Sequence, residues 1–262
     1  MSTRQTLRPG LFGKIDLPAF DRWPWEVRNM NVYALLLAGG LGERMGAGRP
    51  KQFLKIGGEE IISGTIRQFV NHPRITGVVV VIHQDWITPL LEVLAAFGFS
   101  KMLGVTVGGE TRQASSYAGV QFLDCRINDD DLALVHDVAR PFVSQALIDR
   151  TIDETAIHGV TNVVVPATDT LIQGKDGFLT GLVDRQEIFN VQTPQGFRFG
   201  ILKEAHSRAA DEGSKSATDD VQLAFRLGYS VKLVSGDYRN IKITTMADLA
   251  VAEAIARDFE NA

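Results

Sequence analysis

An apolar run, Val32 to Leu37, empties into Leu37-Ala38-Gly39-Gly40-Leu41-Gly42-Glu43-Arg44-Met45-Gly46, and the cationic stretch Arg49-Pro50-Lys51-Gln52-Phe53 follows directly. A short buried strand that ends in a glycine-rich turn constrains the fold strongly, because open α/β sheets gather their ligands at the carboxyl ends of strands. Glycines let main-chain N–H groups approach an anion closely, and Arg44 and Lys51 neutralise it. The segment therefore has the composition of a phosphate cradle and points to a nucleoside triphosphate. Taken alone, its plain alternative is a surface loop, since Gly, Arg and Lys are all common there.

Two better-known glycine loops are excluded by spacing. The dinucleotide fingerprint G-x-G-x-x-G, counted from Gly40, meets Gly42 correctly but finds Met45 where the third glycine belongs. The P-loop requires G-K-[ST]; here Lys51 follows Pro50, which has no N–H, and Gln52 stands where a hydroxyl would hold magnesium. Neither hydride transfer nor P-loop chemistry is indicated.

Beyond the turn, the pattern alternates. Helices are predicted over Ile61 to Val70, Trp86 to Phe97, Arg112 to Leu123 and Gln145 to His158. Strands are predicted over Gly77 to Ile82, Leu103 to Val107, Leu132 to His136 and Val160 to Val165. This alternation implies a parallel sheet covered by helices on both faces, an α/β class. Ala167 to Arg185 breaks the rhythm: two short strands around Gly174-Lys175-Asp176-Gly177 read as a protruding β-hairpin. Such a hairpin is marginal alone and is expected to pack on another subunit. A helix from Phe199 to Asp211, a loop bearing Thr218-Asp219-Asp220, a helix to Leu227, a strand Val231 to Val234, a strand-like Asn240 to Thr244 and a closing helix from Met246 complete the chain.

Polar clusters fall where strands end. Gly108-Gly109-Glu110-Thr111-Arg112 opens a helix and offers amides and a cation to a base or phosphate. Val135-His136-Asp137-Val138-Ala139-Arg140-Pro141 places an acid and a cation three residues apart, and Asp184-Arg185, Gln192-Thr193-Pro194-Gln195 and Asn240 to Thr244 add further polar groups. His136 reads as a structural hydrogen-bonding group, since no histidine has metal-binding spacing. One carboxylate of Asp219-Asp220 is best explained as opening the following helix.

With 262 residues, 45% hydrophobic, and a formal charge of −4, the chain reads as an ordinary globular protein without the net basic face of a nucleic-acid binder. Cys125, the single cysteine, excludes an internal disulfide and reads as a small, semi-buried residue suited to a reducing cytoplasm. No stretch reaches the ~18 apolar residues of a membrane span, and the cytoplasm is the expected location. Residues 1–30, with scattered prolines and tryptophans, read as an irregular extension ahead of one domain over 31–262.

The ordered motifs L-A-G-G-L-G-E-R-M-G, R-P-K-Q-F, G-G-E-T-R, V-H-D-V-A-R-P-F, V-D-R, Q-T-P-Q-G-F, T-D-D and N-I-K-I-T-T resemble the 2-C-methyl-D-erythritol 4-phosphate cytidylyltransferase family and the related ribitol 5-phosphate cytidylyltransferases. The resemblance implies a CTP-dependent nucleotidyltransferase of Rossmann-like α/β fold, dimeric through its hairpin arm at about 167–185. It implies Mg2+ bridging the CTP phosphates. By position, it places Ala38, Gly39, Gly40, Gly109, Arg112 and Ser115 around the cytidine and Arg44, Lys51 and Lys242 around the phosphates as catalytic cations. Asp137, Arg140, Arg185, Thr193 and Thr218 match the sugar-phosphate positions, some of them supplied across the dimer. The Leu-Ala-Gly-Gly form occurs in the ribitol branch, whereas Val183-Asp184-Arg185 before Gln192-Thr193-Pro194-Gln195 points to methylerythritol. Transfer to methylerythritol phosphate is the leading expectation, pentitol phosphate the alternative acceptor, and a CTP-binding protein without catalysis the third.

Overall fold

The structure is a computed structural model that describes residues 30–40, 50–98, 100–214 and 217–259. The N-terminal extension and the turn residues 41–49, Arg44 included, lie outside the described residues. In chain order the elements are β1 (Val32–Ala38), the short strands β2 (Lys55–Ile56) and β3 (Glu59–Glu60), α1 (Ile61–Val70), β4 (Gly77–Ile82), α2 (Ile87–Phe97), β5 (Met102–Val107), α3 (Arg112–Asp124), β6 (Leu132–Asp137), α4 (Gln145–His158) and β7 (Val160–Pro166). They continue with β8 (Ile172–Lys175), β9 (Phe178–Leu182), β10 (Phe189–Arg198), α5 (Phe199–Asp211), α6 (Asp220–Arg226), β11 (Lys232–Ser235) and α7 (Met246–Phe259).

β1 is buried along its whole length, and its alternate side chains serve two cores. Ala34, Leu36 and Ala38 join α1, α2, α4 and α7 through residues such as Ile62, Ile66, Leu90, Ile148 and Ala252. Leu35 and Leu37 join α3, α5 and α6 through Val120, Leu123, Leu202 and Leu223. A strand covered on both faces has no solvent side on which to place polar residues, which explains the continuous apolar runs of β1 and β4.

Seven strands form one sheet in the order β11-β7-β10-β6-β1-β4-β5. The chain runs outward from β1 to β4 and β5, then returns to lay β6 on the opposite side of β1, so that Asp137 registers with Leu37. This reversal opens a crevice at the carboxyl ends of β1 and β6. The sheet is mostly parallel, as expected; the exception is β10, which the sequence pattern does not predict as a strand and which runs antiparallel to both β6 and β7. Its polar, proline-containing centre hides it in the sequence. The register shifts between Val191 and Gln195, where Pro194, lacking a ladder N–H, is accommodated.

The hairpin is present as β8 and β9, joined by Asp176 and Gly177, both at positive φ (52° and 84°) as a tight two-residue hairpin turn requires. Its apolar side chains face solvent, with Phe178 78% and Leu182 82% exposed. Two further expectations need correction. Asn240 to Thr244 forms no strand: Ile243 N–H donates to Ala139 O and Ile243 O accepts from Lys51, so the segment is pinned by single bonds rather than by a ladder. Cys125, at the solvent-facing end of α3, is exposed rather than semi-buried. No helix among the described residues is long and apolar enough to cross a membrane.

Candidate active site

An open cleft of about 770 Å3 lies at the carboxyl ends of β1, β4, β5 and β6. Gly39 and Gly40 line it after β1, His83 after β4, and Gly109, Glu110, Thr111, Arg112 and Ser115 from the β5–α3 turn; Asp137 and Ala139 close β6, and Lys51, Lys242 and Thr244 complete the wall. Most of the residues picked out for the nucleotide and its phosphates are thereby brought together, as the crevice position requires.

One wall is main chain. A Cβ at Gly39 would lie 3.0 Å from Ser115 Oγ, and one at Gly109 would lie 2.5 Å from Ala114 Cβ, so the two turns pack tightly and leave their backbones as the cleft surface. Thr111 caps α3, its hydroxyl accepting from Ala114 N–H at 3.0 Å, and Ser115 Oγ donates to Gly109 O at 3.2 Å. The positive end of α3 thus opens on the cleft, where it favours an anion. Ala38 lies just beneath the lining; its carbonyl accepts from the buried Gln52 Nε2 at 2.7 Å. Gln52 takes the place of the P-loop hydroxyl and fastens the Lys51 turn to the end of β1.

The other wall carries charge. Asp137 Oδ1 accepts from Arg112 Nε at 3.2 Å, and Oδ2 accepts from Lys242 Nζ at 2.7 Å. Burial by itself would raise the Asp137 pKa, but Arg112, Lys242 and Arg140 outweigh it and hold the carboxyl well below the usual range. Lys51 Nζ donates to Ile243 O at 2.8 Å, which places its charge beside the Lys242 segment.

Arg140 and Thr193 sit behind this wall. Arg140 donates from Nη1 to Asn240 O at 2.8 Å and from Nη2 to Val191 O at 3.0 Å, tying the β6 turn to β10 and to the Lys242 segment. Thr193 Oγ accepts from Asp137 N–H at 3.1 Å and lies 3.0 Å from His136 Nδ1, while His136 Nε2 lies 3.0 Å from Arg140 O. A carbonyl only accepts, so Nε2 carries the hydrogen and Nδ1 accepts from Thr193. Burial drives the His136 pKa down to about 4, which makes it the structural group expected from its strand-end position.

Arg185 and Thr218 are not among the cleft residues. Arg185 follows the hairpin and donates to Thr168 O at 2.9 Å, and Thr218 accepts from Gln222 Nε2 at 2.6 Å. Asp219 caps α6, accepting from Gln222 N–H at 2.9 Å, as expected for a carboxylate opening that helix. Its neighbour Asp220 does something the sequence did not disclose: it pairs with Arg112 at 2.8 Å and His206 at 2.9 Å. Asn240, fully buried, donates to Thr193 O at 2.8 Å and anchors the segment that presents Lys242.

A cleft made of glycine backbone, a helix N-terminus and cations held in place receives a polyphosphate and reorganises its charge. Together with a sheet whose strand order reverses at that cleft, it defines a nucleotidyltransferase of Rossmann-like α/β type. Known proteins narrow the class. The family model described as 2-C-methyl-D-erythritol 4-phosphate cytidylyltransferase matches residues 32–258. The chain is 41% identical over 233 residues to the protein of that name from Geotalea uraniireducens, covering 88% of this chain and 99% of that protein. It is 40% identical to the one from Geobacillus kaustophilus, covering 86% and 97%. The crystal structure of the Thermus thermophilus protein of that name is 35% identical with a TM-score of 0.69, over 85% of this chain and 98% of that one. The chain belongs to the 2-C-methyl-D-erythritol 4-phosphate cytidylyltransferase family.

Proposed function

We propose that the protein transfers the cytidylyl group of CTP to 2-C-methyl-D-erythritol 4-phosphate, releasing pyrophosphate and forming 4-diphosphocytidyl-2-C-methyl-D-erythritol for isoprenoid precursor synthesis. The observation that carries the chemistry is the convergence of Gly39, Gly40, the α3 N-terminus, Lys51 and Lys242 on one cleft. Family membership favours methylerythritol phosphate over ribitol 5-phosphate as acceptor, and a cleft that gathers Lys51 with Lys242 suits catalysis better than nucleotide sensing.

The acceptor needs little help to become a nucleophile. The second pKa of a phosphate monoester is ~6, so at neutral pH it is mostly a dianion. Its oxygen attacks the α-phosphorus of CTP in line; the new P–O bond forms as the bond to the β-phosphate oxygen breaks, and pyrophosphate departs with the electron pair. The protein aligns two anions that repel and stabilises charge growing on the α-phosphate oxygens. Lys51, Lys242 and Arg44 take that task, while Ala38, Gly39, Gly40, Gly109, Arg112 and Ser115 surround the nucleoside. Asp137 fixes Lys242 and faces the acceptor, with Arg140 and Thr193 holding its turn in place.

Mg2+ would enter with CTP as part of the substrate and would help to offset the phosphate charge beside Lys51 and Lys242. No group of three His, Cys, Asp or Glu side chains is assembled for a metal among the described residues, and Asp137 is already shared by two cations. With Asp137 so engaged, an ion carried by CTP would take its ligands from phosphate oxygens and water. The exposed apolar face of the hairpin supports a homodimer in which Arg185 approaches the acceptor from the partner copy. CTP and a sugar phosphate are cytoplasmic metabolites, which supports that location. Pyrophosphate release with Mg·CTP and methylerythritol phosphate tests the proposal; release with ribitol 5-phosphate alone would replace the acceptor, and CTP binding without release from either would favour the sensor.

A further inference from the structure

Behind the cleft wall lies a buried row of polar groups that the reaction as drawn does not use. Arg112 joins it to the cleft, donating from Nε to Asp137 and from Nη1 to Asp220 Oδ2 at 2.8 Å. Asp220 is 1% exposed, and its Oδ1 lies 2.9 Å from Nε2 of His206, itself 1% exposed. The imidazole stacks flat on Tyr117, with ring centroids 5.7 Å apart and planes 6° apart. The main-chain N–H of Asp220 donates to Gln195 Oε1 at 3.2 Å, so the carboxylate is fixed from both ends.

Helix capping does not explain Asp220, because Asp219 already caps α6. A buried carboxylate is costly to desolvate, and an apolar residue at this position would avoid that cost. What Asp220 does is occupy one end of the Arg112 guanidinium. With Nη1 held by Asp220, the guanidinium is fixed in the orientation that aims Nε at Asp137 Oδ1; Nη2 is buried without a hydrogen-bond partner, and Oδ2 stays with Lys242. Asp220 is charged in this setting: burial opposes ionisation, but Arg112 and His206 outweigh it.

We propose that Asp220 and His206 are positioning residues for the transfer: they hold Arg112 so that Asp137 stays turned toward Lys242 and the acceptor. The acceptor's identity in this statement rests on the function proposed above. The test compares His206→Leu with His206→Gln. Both lose the stack on Tyr117, but only Gln keeps an Nε2 donor for Asp220. His206→Leu is expected to raise the KM for methylerythritol phosphate about 10-fold, with a rise in the KM for CTP as well because Arg112 also borders the nucleoside, and His206→Gln to restore most of both losses at a similar Tm. Equal KM values in the two variants, with only Tm altered, would overturn the proposal. The Nε–H NMR signal of Arg112 gives a readout independent of turnover: its hydrogen exchange is expected to quicken in His206→Leu and not in His206→Gln. If the wild-type protein does not turn over methylerythritol phosphate, the function proposed above fails, and this signal still decides whether His206 positions Arg112. Should His206→Leu not fold, Asp220→Asn, which keeps the shape and removes the charge, takes its place.

Discussion

Replacing Lys51 by Ala removes one of the cleft cations proposed to stabilise the reacting phosphates, and the loss can be sized from its setting. Lys51 stands on a short turn fastened by Gln52 to the end of β1, and its Nζ donates to Ile243 O, so its charge is held at the cleft rather than swinging in solvent. A unit charge gained ~4 Å from such an ammonium is worth ~4 kcal/mol at an effective dielectric of ~20. A transition state that gathers between half and one unit of charge there loses ~2–4 kcal/mol without the lysine, and turnover should fall at least ~100-fold, the usual scale for losing one such partner. The fold should tolerate the change, because Lys51 is only half-buried on its short turn and its bond to Ile243 O is worth ~1 kcal/mol, a drop of ~2–4 °C in Tm for a chain of this size. Steady-state pyrophosphate release, read beside thermal unfolding, measures both quantities. A folded Lys51→Ala protein that keeps its activity within a few-fold would refute the placement of Lys51 on the phosphates.

Arg185→Ala should raise the KM for the sugar phosphate more than that for CTP, since Arg185 matches an acceptor position; an equal loss of CTP affinity would remove it from the acceptor site. Replacing Phe178 and Leu182 together by Asp should convert a dimer to a monomer in sedimentation velocity, because both side chains lie on the exposed hairpin; an unchanged mass would move any dimer contact elsewhere. His136, with its pKa depressed from 6.5 to about 4, favours the neutral imidazole in the folded state. Its contribution to stability is therefore complete above about pH 6.5 and is lost as pH falls toward 4, up to ~3 kcal/mol. NMR of the His136 ring should show a neutral imidazole at pH 5.5, and a midpoint at or above 6.5 would contradict the buried Thr193–His136–Arg140 chain.

The parallel half of the fold is legible because a strand buried on both faces is written as an unbroken apolar run, and β1 and β4 are such runs. β10 is not, since its centre reads Gln-Thr-Pro-Gln and its place in the sheet is set by partners far away in sequence, β6 and β7. Asn240 to Thr244 alternates like a strand yet is held by Ala139 O, Lys51 and the Asp248 carboxylate. Alternation marks a segment with one face buried and the other polar; it does not guarantee a neighbouring strand. In the site, Gly39, Gly109, Arg112, Asp137 and Lys242 stand out because each follows a strand or lies in a family motif. Gln52, His206 and Asp220 did not stand out as its supports. Each makes its decisive bond to a group brought near only by folding: Gln52 to Ala38 O, His206 to Asp220, and Asp220 to Arg112. His206 alone carried a readable sign, lying four residues after Leu202 on the buried face of α5, where a polar ring needs a partner.

The most direct measurement is pyrophosphate release with Mg2+ and CTP, supplying methylerythritol 4-phosphate and ribitol 5-phosphate in parallel, with UTP as a control on the base. The account predicts rapid release with CTP and methylerythritol phosphate and little with the other pairings. Release with ribitol 5-phosphate alone, or none with either acceptor despite CTP binding, would contradict it.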